Sequence, residues 1–254
     1  MVSHRHLAIT SAMALSLAIG AVQAASAATL DLTLQDQARQ RTIPVELSLP
    51  AAPCTKAPCP VALLSAGYGI GYKEYRFLVE ELNRAGWLVV SVDHQLPTDA
   101  KLDRNEDVAP QLKTMRRRGV ANLRFVQDSL SKSHPGYDWR HVTLIGHSLG
   151  GDISAERASE GDPTITRVVT LDNRRGALPR TAAVKVLSIR ASDTQADPGV
   201  LPDAQEQKLY GTCIVKPPGA RHNDMYDGGG AELKAAIAKV THAFLVKGVC
   251  EAAP

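Results

Sequence analysis

The sequence predicts an α/β fold: a mainly parallel central sheet with an N-terminal antiparallel hairpin and helices on both faces. Three observations carry this. Strand-like and helix-like patterns alternate from Ala28 onward. The first two strand-like runs alternate apolar and polar residues, whereas Val61 to Leu64 is continuously apolar, as a strand covered on both faces is. No repeat, low-complexity tract or linker divides the chain, so 28–254 reads as one domain, a common length for a single α/β unit.

Taken in order, Leu30 to Leu34 and Ile43 to Leu49 form the hairpin, joined by a polar turn through Gln40. Val61-Ala62-Leu63-Leu64 is a buried strand that runs into the Gly-rich Ser65-Ala66-Gly67-Tyr68-Gly69. Tyr72 to Ala85 is a helix with Phe77, Leu78 and Leu82 on one face and Gly86 as C-cap. Trp87 to Val92 is the next buried strand, closed by Asp93-His94. A polar stretch from Gln95 to about Pro110 precedes a helix to roughly Ser131. Strands follow at His141 to Ile145, Arg167 to Leu171, Val184 to Ile189 and Cys213 to Val215. Helices are expected over Ser148 to Ser159 and, as an amphipathic close, over Ala231 to Val249.

Residues 1–27 have the pattern of a secretory leader: Arg5 in a short basic start, an uncharged apolar run from Leu7 to Val22, then small residues. Cutting after Ala24 or after Ala27 satisfies the small-residue rule. The apolar run is short for a membrane anchor, and no later stretch is long enough to cross a bilayer. The expected location is secreted or periplasmic. Four cysteines, Cys54, Cys59, Cys213 and Cys250, suit disulfides in such a compartment. Three pairings are possible. The local pair Cys54–Cys59 is easy to close, leaving Cys213 and Cys250 to tie a late strand to the end of the last helix. Histidines at metal-ligand spacing are missing near either pair, so no metal is implied.

Charge excludes little. Lys and Arg number 29 against 26 Asp and Glu. The densest basic cluster, Arg116-Arg117-Arg118, reads as the solvated face of a helix rather than a nucleic-acid patch. No phosphate-binding loop appears, and no cofactor is expected.

The chemistry centres on Gly146-His147-Ser148-Leu149-Gly150. An apolar strand runs into this G-x-S-x-G and a helix runs out of it, the setting a nucleophile elbow needs. The turn is so tight that its flanking residues must be small, as Gly146 and Gly150 are. A plain βα turn with a helix-capping serine is the alternative. On these residues, with the Gly67-Tyr68-Gly69 loop and the region around His222, the sequence resembles the α/β-hydrolase superfamily. It is most similar to small serine esterases of the dienelactone-hydrolase and polyester-hydrolase kinds.

That resemblance implies roles. Ser148 is the nucleophile. The base comes last in chain order, after the final strand, which selects His222 over His242, His147, His94 and His141. In similar hydrolases the triad acid lies three residues past a glycine that closes the preceding strand. Arg190 stands in that glycine's place, so Asp193 matches by position. Asp197 fits another form of the loop, and Asp172, after the strand before, ranks third because some relatives take the acid from there. Backbone N–H groups of Leu149 and Tyr68 are the expected oxyanion donors. The Tyr68 ring is weighed either as a substrate clamp or as packing. The short segment between Leu171 and Val184 leaves no room for a helical cap, so an open site with a small or polymeric ester substrate is expected. The rival within the enzyme class is an amide, thioester or polyester substrate on the same machinery, and a binding protein that lost turnover is the reading from another class.

Overall fold

The computed structural model describes residues 27–51, 54 and 57–251. The leader expected over 1–27 therefore lies, but for Ala27, outside the described residues. Among the described residues, eight strands form one sheet in the order β1-β2-β4-β3-β5-β6-β7-β8. They are β1 (Thr29–Asp36), β2 (Arg41–Ser48), β3 (Cys59–Ser65), β4 (Leu88–Val92), β5 (Tyr137–His147), β6 (Ile165–Leu171), β7 (Lys185–Ile189) and β8 (Cys213–Val215). Strand β2 pairs antiparallel with β1 and with β4, and every pair from β4 to β8 is parallel.

The apolar runs divide by residue parity, as the pleat requires. Val61 and Leu63 of β3, with Leu88, Val90 and Val92 of β4, join one core. Ala62, Leu64 and Val89 join the other. The first core lies under α2 (Val108–Ser133) and α3 (Leu149–Ala158), the second under α1 (Arg76–Arg84) and α5 (Ala231–His242). Helix α2 turns Leu112, Met115, Val120, Leu123, Val126 and Leu130 inward. It also approaches α3 closely at Gly119, where a Cβ would stand 2.4 Å from Ile153 Cδ1.

The helix expected from Tyr72 begins at Arg76 and the strand expected from His141 begins at Tyr137. Three further expectations change. The seven-residue helix α4 (Ala204–Tyr210) was not expected; it buries no residue, so it carries no amphipathic stripe. Its one sequence signal is the capping box of Asp203 and Glu206. The closing helix is regular only to His242 and continues as a π turn over Ala243–Lys247, ended by left-handed Gly248. Of the arginine triplet, only Arg117 is exposed, for Arg116 pairs with Glu156 at 3.1 Å and Arg118 with Asp99 at 3.3 Å.

The cysteines pair as Cys54–Cys59 and Cys213–Cys250, with Cα separations of 5.3 and 5.7 Å. The second link closes a span of 37 residues and the first a span of 5. Loop entropy then makes the second worth about 3–4 kcal/mol and the first about 2. Replacing Cys213 and Cys250 with serine is expected to lower the denaturant midpoint clearly more than replacing Cys54 and Cys59. Equal losses would contradict the loop-length argument.

Candidate active site

Parallel pairing lines up the functional residues at the carboxyl edge of the sheet. The ladder continues one residue past the paired strands: Ser148 N donates to Leu171 O at 2.9 Å, Asp172 N to Ile189 O at 2.8 Å and Arg190 N to Val215 O at 2.8 Å. The residues that directly follow β5, β6 and β7 are thus neighbours in space.

Ser148 sits at φ 52°, ψ −118°, a conformation that side-chain-bearing residues rarely adopt and that costs of order 1–3 kcal/mol. Space around the turn explains its glycines. A Cβ on Gly146 would lie 2.1 Å from Gly150 O, and one on Gly150 would lie 2.1 Å from Ser65 O. The elbow lifts the Ser148 hydroxyl to 2.9 Å from His222 Nε2. His222 opens a short 3-10 turn (His222–Asp224) beyond β8.

The carboxylate on the other side of that imidazole is Asp172, not Asp193. Asp172 Oδ2 lies 2.6 Å from His222 Nδ1. The Asp172 side chain is fully buried and its backbone is left-handed at φ 50°. Burial pushes its acidity toward the neutral form. Hydrogen bonds from His222, Thr194 and the Ala191 N–H, with the charge of Arg190, more than reverse this and hold the carboxyl well below the usual range. An ionised carboxylate only accepts, so His222 carries its proton on Nδ1, and the bare Nε2 accepts from the Ser148 hydroxyl.

Asp193 is placed otherwise. Its Oδ1 accepts the backbone N–H of His222 at 2.8 Å, and Arg221 lies 3.6 Å away. The cause is the course of the loop after β7: Ser192 donates to Ala220 O from both its N–H, at 2.6 Å, and its hydroxyl, at 2.7 Å. This docks the segment against the main chain before His222, so Asp193 reaches that backbone and not the ring. Asp197 is remote from the imidazole; its N–H donates to Arg174 O, and its carboxylate stands 3.8 Å from Arg175.

The other histidines are engaged elsewhere. His147 Nε2 donates to His222 O at 2.9 Å, and its Nδ1 accepts from the Tyr75 hydroxyl at 2.8 Å. Tyr75 in turn accepts the Gly67 N–H at 3.0 Å. Burial, and then the neighbouring His222, push His147 down to about 4, so it stays neutral. Tyr75, which no sequence motif marks, thus joins the Gly67 loop through His147 to the backbone of His222. His94 is buried between Ser65 Oγ and Asn122, pushed down to about 3 by burial and then by Arg41 and Arg118. His242 pairs with Glu81 at 2.7 Å and His141 with Asp138 at 2.9 Å.

Both expected oxyanion donors border the cleft. Tyr68 and Leu149 line it with Ser148 and His222 around about 370 Å³. In the Tyr68 loop the flanking N–H groups are taken, Gly67 by Tyr75 and Gly69 by Gln95 Oε1 at 3.0 Å. The Tyr68 hydroxyl accepts the Leu102 N–H at 2.8 Å, which favours packing over a free clamp. Ile70, Leu102 and Val108 complete an apolar wall. A larger groove of about 1140 Å³ is lined by residues such as Trp139 and Lys185 and contains none of Ser148, His222 or Asp172. Among the described residues, no group of three or more His, Cys, Asp or Glu side chains is placed to hold a metal ion. No helix among them is long and apolar enough to cross a membrane.

A hydroxyl, an imidazole and a buried carboxylate therefore stand in one hydrogen-bonded line above a strained strand–helix turn. The chain has the α/β-hydrolase fold. It is similar to a ferulic acid esterase from Streptomyces cinnamoneus (TM-score 0.60, 19% identity, covering 85% of this chain and 86% of that one). It is similar also to a dienelactone hydrolase from Anabaena variabilis (TM-score 0.58, 16% identity, covering 86% and 98%). A third is an α/β serine hydrolase without lid from Xanthomonas campestris (TM-score 0.56, 17% identity, covering 86% and 95%). No protein-family model and no curated protein matches the sequence.

Proposed function

We propose that this chain is an exported serine hydrolase that cleaves carboxylic esters through an acyl-enzyme, acting as one domain over 28–254. The observation that carries this reading is the line from Ser148 Oγ to His222 Nε2 and from His222 Nδ1 to Asp172, at 2.9 and 2.6 Å. Ser148 attacks the ester carbonyl carbon as its proton passes to His222 Nε2. The tetrahedral oxyanion is held by the N–H groups of Leu149 and Tyr68, the first at the positive end of α3. Collapse expels the alcohol, which takes the proton from His222. Water then repeats the sequence on the acyl-serine and releases the acid.

Asp172 is the triad acid in this scheme, and Asp193 holds the backbone of the histidine loop. The segment 172–184 between β6 and β7 carries no cap, which favours small or extended esters at an open cleft. The esterase names of the structural neighbours support ester over amide. The leader pattern and the two disulfides support export.

The test is labelling of the purified protein with a fluorophosphonate, followed by peptide mapping. Label at Ser148, lost in Ser148→Ala together with hydrolysis of short p-nitrophenyl esters, is the expected result. Folded protein that takes no label would overturn the reading in favour of a binding role. A matched panel of esters, thioesters and amides then ranks the substrates.

A further inference from the structure

Arg190 directly follows β7 and is only 7% exposed. Its guanidinium Nη2 lies 2.9 Å from Asp172 Oδ1. Its Nη1 donates to Asn173 O at 2.8 Å and Asn173 Oδ1 at 3.1 Å, which fixes the plane of the group. Asp172 thereby receives four donors. Oδ1 takes Arg190 and the Ala191 N–H, at 2.9 and 3.0 Å. Oδ2 takes His222 at 2.6 Å and the hydroxyl of Thr194. Burying a guanidinium is costly unless a partner compensates, and the partner here is the carboxylate that orients the histidine.

We propose that Arg190 is a positioning residue of the triad: a resident counter-charge that locks the Asp172 carboxylate and leaves His222 free to act as a base. This rests on the reading of Asp172 as the triad acid. A buried carboxylate without a second cation draws a proton onto the neighbouring imidazole, and a protonated imidazole accepts nothing from serine. With Arg190 in place the Asp172–Arg190 pair is neutral as a unit, which weakens that pull. The other charged or titratable groups around this pair are spent elsewhere. Asp152 of α3 accepts the N–H groups of Arg174, Arg175 and Gly176 at 2.7–2.9 Å. Arg174 Nε donates to Gln195 O, Asp193 faces Arg221 and the His222 backbone, and neutral His147 bridges Tyr75 and His222 O.

The experiment is the pH profile of kcat/KM on a short p-nitrophenyl ester for wild type, Arg190→Met and Arg190→Lys. In Arg190→Met the acid limb is expected to move up by about one pH unit, the lower end of what a charge at this range produces. Arg190→Lys is expected to bring the limb back most of the way, because it restores the charge without the planar fork. A folded Arg190→Met whose acid limb coincides with wild type overturns the proposal, as does Arg190→Lys shifting as far as Met. Should Arg190→Met not fold, Arg190→Met/Asp172→Asn decides. Recovery of folded protein supports the pair, since the carboxylate that needed compensation is gone; a double variant as unfolded as the single overturns it. Wild type without turnover fails the triad reading and this proposal together, whereas active wild type with coincident limbs fails this proposal alone.

Discussion

Asp172→Asn is expected to lower kcat by about 10⁴-fold on folded protein, whereas Asp193→Asn is expected to cost about tenfold or less. The difference follows from what each carboxylate touches. Asp172 accepts from His222 Nδ1 at 2.6 Å and so dictates the tautomer. An amide there can turn its NH2 toward Nδ1. That drives the imidazole proton to Nε2, where it faces Ser148 and leaves no base. Asp193 accepts only the main-chain N–H of His222, and an asparagine oxygen accepts that bond equally well. Because Asn at 172 leaves Arg190 without its ion-pair partner, a loss of stability is expected too. Kinetics are therefore compared on fractions shown to be folded by circular dichroism. If the Asp193 variant proves the more damaging one, the assignment of Asp172 as triad acid is wrong.

The second large effect is steric. Gly150→Ala is expected to destabilise the fold by about 3 kcal/mol or more, at or beyond the upper end for an overpacked site. The added Cβ would meet Ser65 O at 2.1 Å and Ala66 O at 2.5 Å. Both are main-chain atoms at the end of β3 and cannot rotate away as a side-chain tip can. Gly151→Ala serves as the comparison. Its Cβ would touch the Asn173 Cβ and Gly146 O at 3.0 Å, contacts that shifts of a few tenths of an ångström relieve. A loss of about 1 kcal/mol is expected there. Urea midpoints of the two variants rank them, and a Gly150→Ala protein with the wild-type midpoint would mean that α3 can shift away from β3.

What could be read along the chain was whatever rests on local pattern. The continuous apolar run Val61 to Leu64 and the mainly apolar Val142 to Ile145 mark strands covered on both faces, and the alternation at Leu30 to Leu34 marks the hairpin. Helix α4 escaped because a helix that buries nothing has no apolar stripe to reveal it. The elbow was legible for a local reason too: a serine between a strand and a helix needs glycines on both sides, and Gly146 and Gly150 are there. His222 followed from its place after the last strand.

The acid was not legible in this way. Asp172, Asp193 and Asp197 all sit in polar loops after strands, and sequence distance does not say which carboxylate meets the imidazole. Pairing decided it. Strand β6 lies beside β5, so Asp172, the residue that follows β6, stands next to Ser148, while Ser192 docks on Ala220 and turns Asp193 to the His222 backbone. Arg190 shows the same limit. As a letter in the sequence it was a departure from the expected glycine, and only the packed structure gave it a partner in Asp172. Elements and the nucleophile are set by contacts within a few residues and so are written along the chain. The charge network around the histidine joins residues up to 50 positions apart, and the order of strands in the sheet alone brings them together.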